Sequence, residues 1–267
     1  MKVKDKVIVV TGAGSGMGRA LTLQLLSMNA KVISIDVNDA SLQETASLAG
    51  DKRAAIKTFV VDITNREAVI QFSKDAATPF GPVDGVINNA GIIQPFVKLN
   101  DLSFDKIERV MNVNFYGTLN MIKAFLPQLL TRQEAHIVNI SSMGGFLPVP
   151  GQTIYGASKA AVKLLTEGLF VELESTNVRV TAVFPGAVNT NITKNSGLQS
   201  PGQQADAGKG MKVLSASKAA QIIIDGMEAN RYHVMVGNDA KFMNYFSRLN
   251  PKAAAGLISR KMKSTLS

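Results

Sequence analysis

Tyr155 and Lys159 lie four residues apart in YGASKAAVKLL, a stretch of helical period, so their side chains share one helix face. A lysine ammonium beside a phenol favours the phenolate by charge and hydrogen bonding, drawing down a pKa that is ~10 when unperturbed. Tyr155 so placed would give or take a proton near neutral pH. On its own, a Tyr/Lys pair at this spacing is more often surface decoration. Its context argues otherwise: upstream, HIVNISS reads as a buried strand ending in two hydroxyls, Ser141 and Ser142, before the flexible pair Gly144-Gly145.

A second constellation sits near the start of the chain. The apolar run VIVV leads into Thr11-Gly12-Ala13-Gly14-Ser15-Gly16-Met17-Gly18-Arg19, and the helix-like LTLQLL follows. Glycines there allow a tight turn and let a helix amino end approach a pyrophosphate, whose charge is met by free N–H groups. G-x-G-x-x-G does not fit, because Met17 stands where the third glycine belongs. The spacing G-x-x-x-G-x-G, through Gly12, Gly16 and Gly18, does fit, with Ser15 and Met17 as neighbouring contacts. Asp36 closes the next strand about twenty residues on, where a carboxylate accepts hydrogen bonds from adenosine ribose hydroxyls and repels a 2′-phosphate. NAD is therefore expected over NADP, and neither Ser15 nor Val37 supplies a competing base. Asp36 would otherwise only cap the following helix, a role open to Asp39 as well. Asp62, at the end of the third strand, occupies the corresponding lip with Ile63 and is placed to meet the adenine amino group.

These residues need a scaffold, and the pattern supplies one. β-rich apolar runs at 6–10, 31–35, 56–61, 83–88, 136–140, 178–184 and 233–237 alternate with segments of helical period beginning near Gly16, Asp39, Asn65, Phe104, Ile154, Ser217 and Asp239. Such βαβ alternation predicts an α/β chain with a Rossmann-type, doubly wound, seven-stranded parallel sheet flanked by helices on both faces. A single domain over 1–267 is expected, with an irregular stretch at 186–215, including Pro201, as the substrate loop and a basic extension at 241–267.

Composition narrows the chemistry. With 267 residues and 46% hydrophobic content the chain can bury a large core. It has no Cys, which excludes disulfides, thiolate metal sites and a cysteine nucleophile. Its two histidines, His136 and His233, are far apart, which argues against a histidine metal cage or a Ser-His-Asp triad, and no metal is expected. Of the net charge of +9, six units lie at Lys241, Arg248, Lys252, Arg260, Lys261 and Lys263, a tail with no acidic residue. The longest uncharged stretch, 135–158, is interrupted by glycines and prolines that no lipid-embedded helix would carry together. The start, MKVKDKVIVV, mimics a secretory leader, but its short apolar run reads as the first strand of a cytoplasmic protein.

In order, the chain carries Thr11-Gly12-x-x-x-Gly16-x-Gly18, Asn88-Asn89-Ala90-Gly91, Asn114, Ser142 with Tyr155-x-x-x-Lys159, and Pro185-Gly186-x-Val188-x-Thr190. Over about residues 4–240 it resembles the short-chain dehydrogenases/reductases. The resemblance implies hydride transfer between a nicotinamide and the carbon of an alcohol or ketone, with Tyr155 as general acid/base. It implies Ser142 on the substrate oxygen, chosen over Ser141 because that serine usually lies thirteen residues before the tyrosine. Lys159 would lower the tyrosine pKa and bind the nicotinamide ribose, and Asn114 would hold a water relaying protons from Lys159. Asn89, Ala90 and Gly91 would line the ribose, and Val188 and Thr190, after Pro185-Gly186, would hold the carboxamide. Asn88 reads as a bridge between strands. Read by itself, Asn114 would be a helix kink or a surface residue.

The tail departs from the family pattern. Phe242, Met243, Phe246 and Leu249 repeat at helical spacing, an apolar stripe expected to pack on the core or a neighbouring subunit. Covering an apolar substrate and touching anionic lipid are the alternatives. Relatives with such tails act on lipophilic alcohols and ketones, which points to a steroid-like, acyl or other hydrophobic substrate. The resemblance also implies a homodimer or homotetramer built on helices near 114–130 and 154–173, and no module for nucleic acid accompanies the charge. A nucleotide-sensing protein without turnover, or an epimerase or dehydratase acting on nucleotide sugars, are the competing functions.

Overall fold

Val7–Thr11 (β1) is buried at every position, and its side chains divide between two cores. Ile8 and Val10 join one apolar cluster, Val7 and Val9 the other, because successive side chains of a strand point to opposite faces. The same division holds for Val86 and Ile87 of β4 (Gly85–Asn88), and for Ile137 and Val138 of β5 (Ala135–Ile140). Continuous apolar runs thus arise because both sheet faces are covered. The computed structural model describes residues 1–198 and 213–262.

The remaining strands of the main sheet are β2 (Lys31–Asp36), β3 (Ile56–Val60), β6 (Val178–Pro185) and β9 (His233–Val236). All seven pair in parallel in the order β3-β2-β1-β4-β5-β6-β9. On one face, α1 (Gly16–Ser27), α2 (Asp39–Leu48) and α8 (Ala216–Glu228) bury residues such as Leu25, Leu42 and Ile223. On the other, α3 (Arg66–Asp75), α5 (Thr118–Leu129) and α6 (Thr153–Glu172) bury Phe72, Phe125 and Leu169. Strand order reverses between β1 and β4, and their carboxyl ends part to open a crevice there. Among the described residues, no helix is long and apolar enough to cross a membrane.

Strand limits and the predicted helix starts fall within about two residues of those observed, and local chemistry explains several. Asn65 accepts from Ala68 N and starts α3. Asn38, rather than Asp36 or Asp39, caps α2 by accepting from Ser41 N. Between α4 (Phe104–Met111) and α5, a π-helical turn spans Asn112–Gly117.

Two expectations need revision. The stretch at 186–215 is not wholly irregular: β7 (Val188–Asn189) pairs with β8 (Leu214–Ser215) and α7 (Ile192–Asn195) lies between them, while 199–212, with Pro201, lies outside the described residues. The tail forms two helices, α9 (Asn238–Leu249) and α10 (Pro251–Lys261), with Asn250 capping α10 and Pro251 at its first position; Lys263 lies outside the described residues. The apolar stripe divides accordingly. Met243 and Phe246 turn inward onto a small third core of Leu147, Ala254 and Ile258, whereas Phe242 and Leu249 are 59% and 86% exposed.

His136 of β5 lies in the core with Nε2 at 2.9 Å from Thr181 Oγ1. That hydroxyl donates to the Arg231 carbonyl, so it accepts from the imidazole N–H, and Nδ1 finds no partner among the described residues. Burial drives its pKa down to about 3. Above pH 6.5 the ring is neutral folded or unfolded and stability is indifferent to it. Between pH 6.5 and 3 only the unfolded chain takes up the proton, so stability falls as pH falls, in total by on the order of 5 kcal/mol. Urea unfolding from pH 7 to 4 should show this slope in the wild type and a flatter one in His136→Leu; equal slopes would refute it.

Candidate active site

The crevice beyond β1 and β4 is a cavity of about 790 Å³. At one end lies the glycine turn. Gly12 and Gly16 have φ of 65° and 51°, the left-handed region that favours glycine, and a Cβ on Gly18 would run into the Gly12 carbonyl oxygen. The amino end of α1 therefore lies directly against the end of β1, a cradle for a pyrophosphate. Thr11 Oγ1 joins the two strand ends by accepting from Asn89 N and Ala90 N, each at 2.9 Å.

Asp36 sits at the lip of this end. Its Oδ2 accepts from Gly14 N at 3.0 Å and its Oδ1 from Asn38 N at 3.1 Å, which fixes the carboxylate between the glycine turn and the start of α2. The nearby cation, Arg19, is engaged by both oxygens of Glu44 at 2.6 and 2.7 Å and by the Gly14 carbonyl. Across the lip, Asp62 Oδ1 accepts from the backbone and hydroxyl of Thr64. Ile63 packs against Gly117 of the π-helical turn.

At the other end stand Ser142, Tyr155 and Lys159. Lys159 is buried, its Nζ donates to the Ile140 carbonyl at 2.9 Å, and burial brings its pKa down to about 8. Burial pushes the Tyr155 phenol up, opposed by a hydrogen bond with Ser142. This departs from the expectation that Lys159 governs the phenol: in this state the ammonium is engaged by a carbonyl, and desolvation dominates. Ser142 Oγ also accepts from Gly144 N at 3.0 Å, whereas Ser141 Oγ faces away and donates to the Lys159 carbonyl at 2.7 Å.

Gly12, Ser15, Gly16, Met17, Gly18, Asp36, Asp62, Ile63, Asn89, Ala90, Gly91, Ser142, Tyr155, Lys159, Pro185, Gly186, Val188 and Thr190 all border this one cavity. Asn114 does not. It lies behind Gly91 in the π-helical turn, and a Cβ on Gly91 would come within 3.1 Å of Lys159 Nζ and 3.2 Å of Asn114 Oδ1. The Asn114 amide bonds to both backbone groups of Ile92 and donates to Ser158 Oγ, each at 2.9 Å. Asn88 Nδ2 donates to Asn139 Oδ1 at 2.8 Å, bridging β4 and β5.

Several contacts here had no sequence signal. Asn195 Nδ2 reaches Ser15 Oγ at 2.6 Å and Ser196 Oγ accepts from Ile93 N at 2.9 Å, so α7 and the residue after it touch both walls of the crevice. Asp239 of α9 accepts from Ala187 N at 2.7 Å and leaves no room for a side chain at Gly186. Gln94, buried beside the start of α6, carried no signal either. Among the described residues, no cluster of His, Cys, Asp and Glu could hold a metal ion.

A family model for short chain dehydrogenases matches residues 6–201. SadH of Mycobacterium tuberculosis, provisionally named an oxidoreductase, is 38% identical over 252 residues, 92% of this chain and 91% of that protein. A short chain dehydrogenase/reductase of Burkholderia phymatum, solved in complex with NAD, matches with a TM-score of 0.82 at 27% identity, over 93% of this chain and 96% of that one. A short chain dehydrogenase of Burkholderia cenocepacia in complex with NADP matches with a TM-score of 0.79 at 26% identity, over 97% and 99%.

Proposed function

Because this chain belongs to the short chain dehydrogenase family and is an oxidoreductase of the nicotinamide-dependent kind, we propose that it interconverts a secondary alcohol and a ketone with NAD(H). One observation carries the reading: Tyr155, Ser142 and Lys159 stand at one end of a cavity whose other end is the glycine turn and Asp36. The glycine cradle, which side chains at Gly12 and Gly18 would fill, suits a dinucleotide.

The nicotinamide, when bound, supplies or accepts the hydride, so the protein must align two carbons, exclude water and manage one proton. Tyr155 Oη takes the hydroxyl proton in oxidation and returns it to the carbonyl oxygen in reduction. Ser142 Oγ donates a hydrogen bond to that oxygen and holds it beside the phenol. Lys159 binds the nicotinamide ribose and places positive charge near Tyr155, and Asn114 serves the proton path behind it. Asn89, Ala90 and Gly91 line the ribose, while Val188 and Thr190 beyond Pro185-Gly186 hold the carboxamide. Gly12 and the stretch from Ser15 through Met17 to Gly18 receive the pyrophosphate; Asp36 takes the adenosine ribose, and Asp62 and Ile63 flank the adenine. NAD is preferred over NADP because Asp36 would face a 2′-phosphate. A hydrophobic substrate, steroid-like or acyl, is supported by Ile92, Ile93, Val188 and Ile192 on the cavity wall. A homodimer or homotetramer belongs to the same reading, supported by the exposed Phe104, Leu164 and Val171 of α4 and α6.

The test is a reduced-nicotinamide absorbance assay with NAD and NADP over secondary alcohols, steroids and acyl substrates. Turnover with NAD on an apolar alcohol is expected, and silence across the panel with cofactor bound counts against the reading. A pH dependence follows as well. Oxidation needs the phenolate, which burial makes scarce at neutral pH, so kcat for oxidation should climb from pH 7 towards 10 while reduction, using the protonated phenol, stays flat near neutrality. Oxidation that peaks below pH 7 would overturn this assignment.

A further inference from the structure

Helix amino ends leave N–H groups without intrahelical partners, and the first turn of α6 is the turn that carries Tyr155. Gln152, at its cap position, makes no side-chain bond to them. The acceptor comes from elsewhere. Gln94, fully buried in the segment leaving β4, accepts through Oε1 from Ile154 N at 2.8 Å and from Tyr155 N at 3.0 Å. Its Nε2 donates to the Gly151 carbonyl at 3.0 Å, and its own carbonyl accepts from Gln152 Nε2 at 2.8 Å. Four hydrogen bonds thus join one residue to the stretch 151–155.

The other end of that segment is the cavity-lining Asn89–Gly91 stretch, tied to β1 through Thr11. The body of α6 is held by different bonds, Ser141 Oγ to the Lys159 carbonyl and Asn139 Nδ2 to Thr166 Oγ1. Gln94 therefore controls the first turn and little else of the helix. Resting on the function proposed above, we propose that Gln94 is a positioning residue that sets the Tyr155 phenol relative to the cavity-lining Asn89–Gly91 stretch. Without it, two partly buried amides lose their acceptor, water enters, and the phenol shifts; misplacement on the order of 1 Å can cost about 10²-fold in rate.

Gln94→Met keeps the length and removes the acceptor. Gln94→Glu keeps an acceptor for both amides at a helix amino end, where negative charge is favoured, and gives up only the Nε2 donor, while the Gly151 carbonyl retains Gln152 Nε2 at 3.1 Å. On the most active panel substrate, Gln94→Met should lose about 10- to 100-fold in kcat with NADH affinity within about threefold, and Gln94→Glu should recover most of it. A second readout needs no turnover. The chain has no Trp and four Tyr, so ultraviolet titration of the cofactor-free protein, with Tyr155→Phe subtracted, follows the phenol directly. Admitting water and freeing the amides should move its ionisation to lower pH in Gln94→Met and back in Gln94→Glu. If Gln94→Met does not fold, Gln94→Asn, one methylene shorter, should show the same split. Unchanged kcat and titration, equal losses in both variants, or loss of NADH affinity in step with kcat would overturn the proposal. Loss of turnover in Tyr155→Phe beside an unaffected Gln94→Met removes this inference alone, an active Tyr155→Phe removes Tyr155 from the chemistry and this inference with it, and a wild type silent across the panel removes the proposed function.

Discussion

Tyr155→Phe should bind NADH within about threefold of the wild type and lose about 10²- to 10⁴-fold in turnover, the range ascribed to general acid/base catalysis. The change removes one oxygen and keeps the ring that fills the site. Ser142 Oγ retains its bond from Gly144 N, so the loop after β5 stays in place. No neighbour can take over the proton transfer, because Lys159 Nζ donates to the Ile140 carbonyl and a serine hydroxyl is a far weaker acid than a phenol. Steady-state kinetics beside NADH titration separates the two effects. A variant turning over near the wild-type rate would remove Tyr155 from the chemistry.

The cofactor end yields the other large effect. Wild type is expected to bind NADH about 10²-fold more tightly than NADPH, because like-charge juxtaposition costs several kcal/mol and Asp36 stands fixed at the lip. Asp36→Ala with Val37→Arg should reverse the preference by exchanging a repelling carboxylate for a guanidinium suited to phosphate. Asp36→Ala alone also takes the acceptor from Gly14 N and Asn38 N, so it should weaken NADH while only narrowing the gap. Paired titrations measure all three proteins, and equal wild-type affinities for the two cofactors would refute the role given to Asp36. Solved relatives hold NAD in one case and NADP in another, so the family by itself does not decide.

Much of the sheet was readable because it is covered on both sides, so 7–10 is apolar throughout and 136–140 at three of its five positions. Site residues were readable where they cluster at strand ends, as with Gly12 to Gly18 or Ser142 beside Tyr155. What the sequence conceals is long-range polar chemistry. Gln94 and Tyr155 are 61 residues apart and Asn195 and Ser15 are 180 apart, and no periodicity announces such a bond. Asp239 on Ala187 N is of the same kind. The phenol's ionisation could not be inferred either, because it depends on which group engages the Lys159 ammonium and how much water reaches the ring. The break in the tail was available: Asn250-Pro251 pairs a capping residue with a proline that opens a helix, a signal masked by the apolar stripe before it.

The tail helices rest on a core of their own. Leu147, Met243, Ala254 and Ile258 form a cluster separate from the two that sandwich the sheet, and Leu147 belongs to the loop that follows Ser142. Heritable change in α9 and α10 can accordingly accumulate without disturbing the packing that shapes the glycine turn. That independence ends at Asp239, whose carboxylate holds Ala187 N beside Gly186, so heritable change in the tail is constrained at this one anchor and freer in the helical turns beyond it.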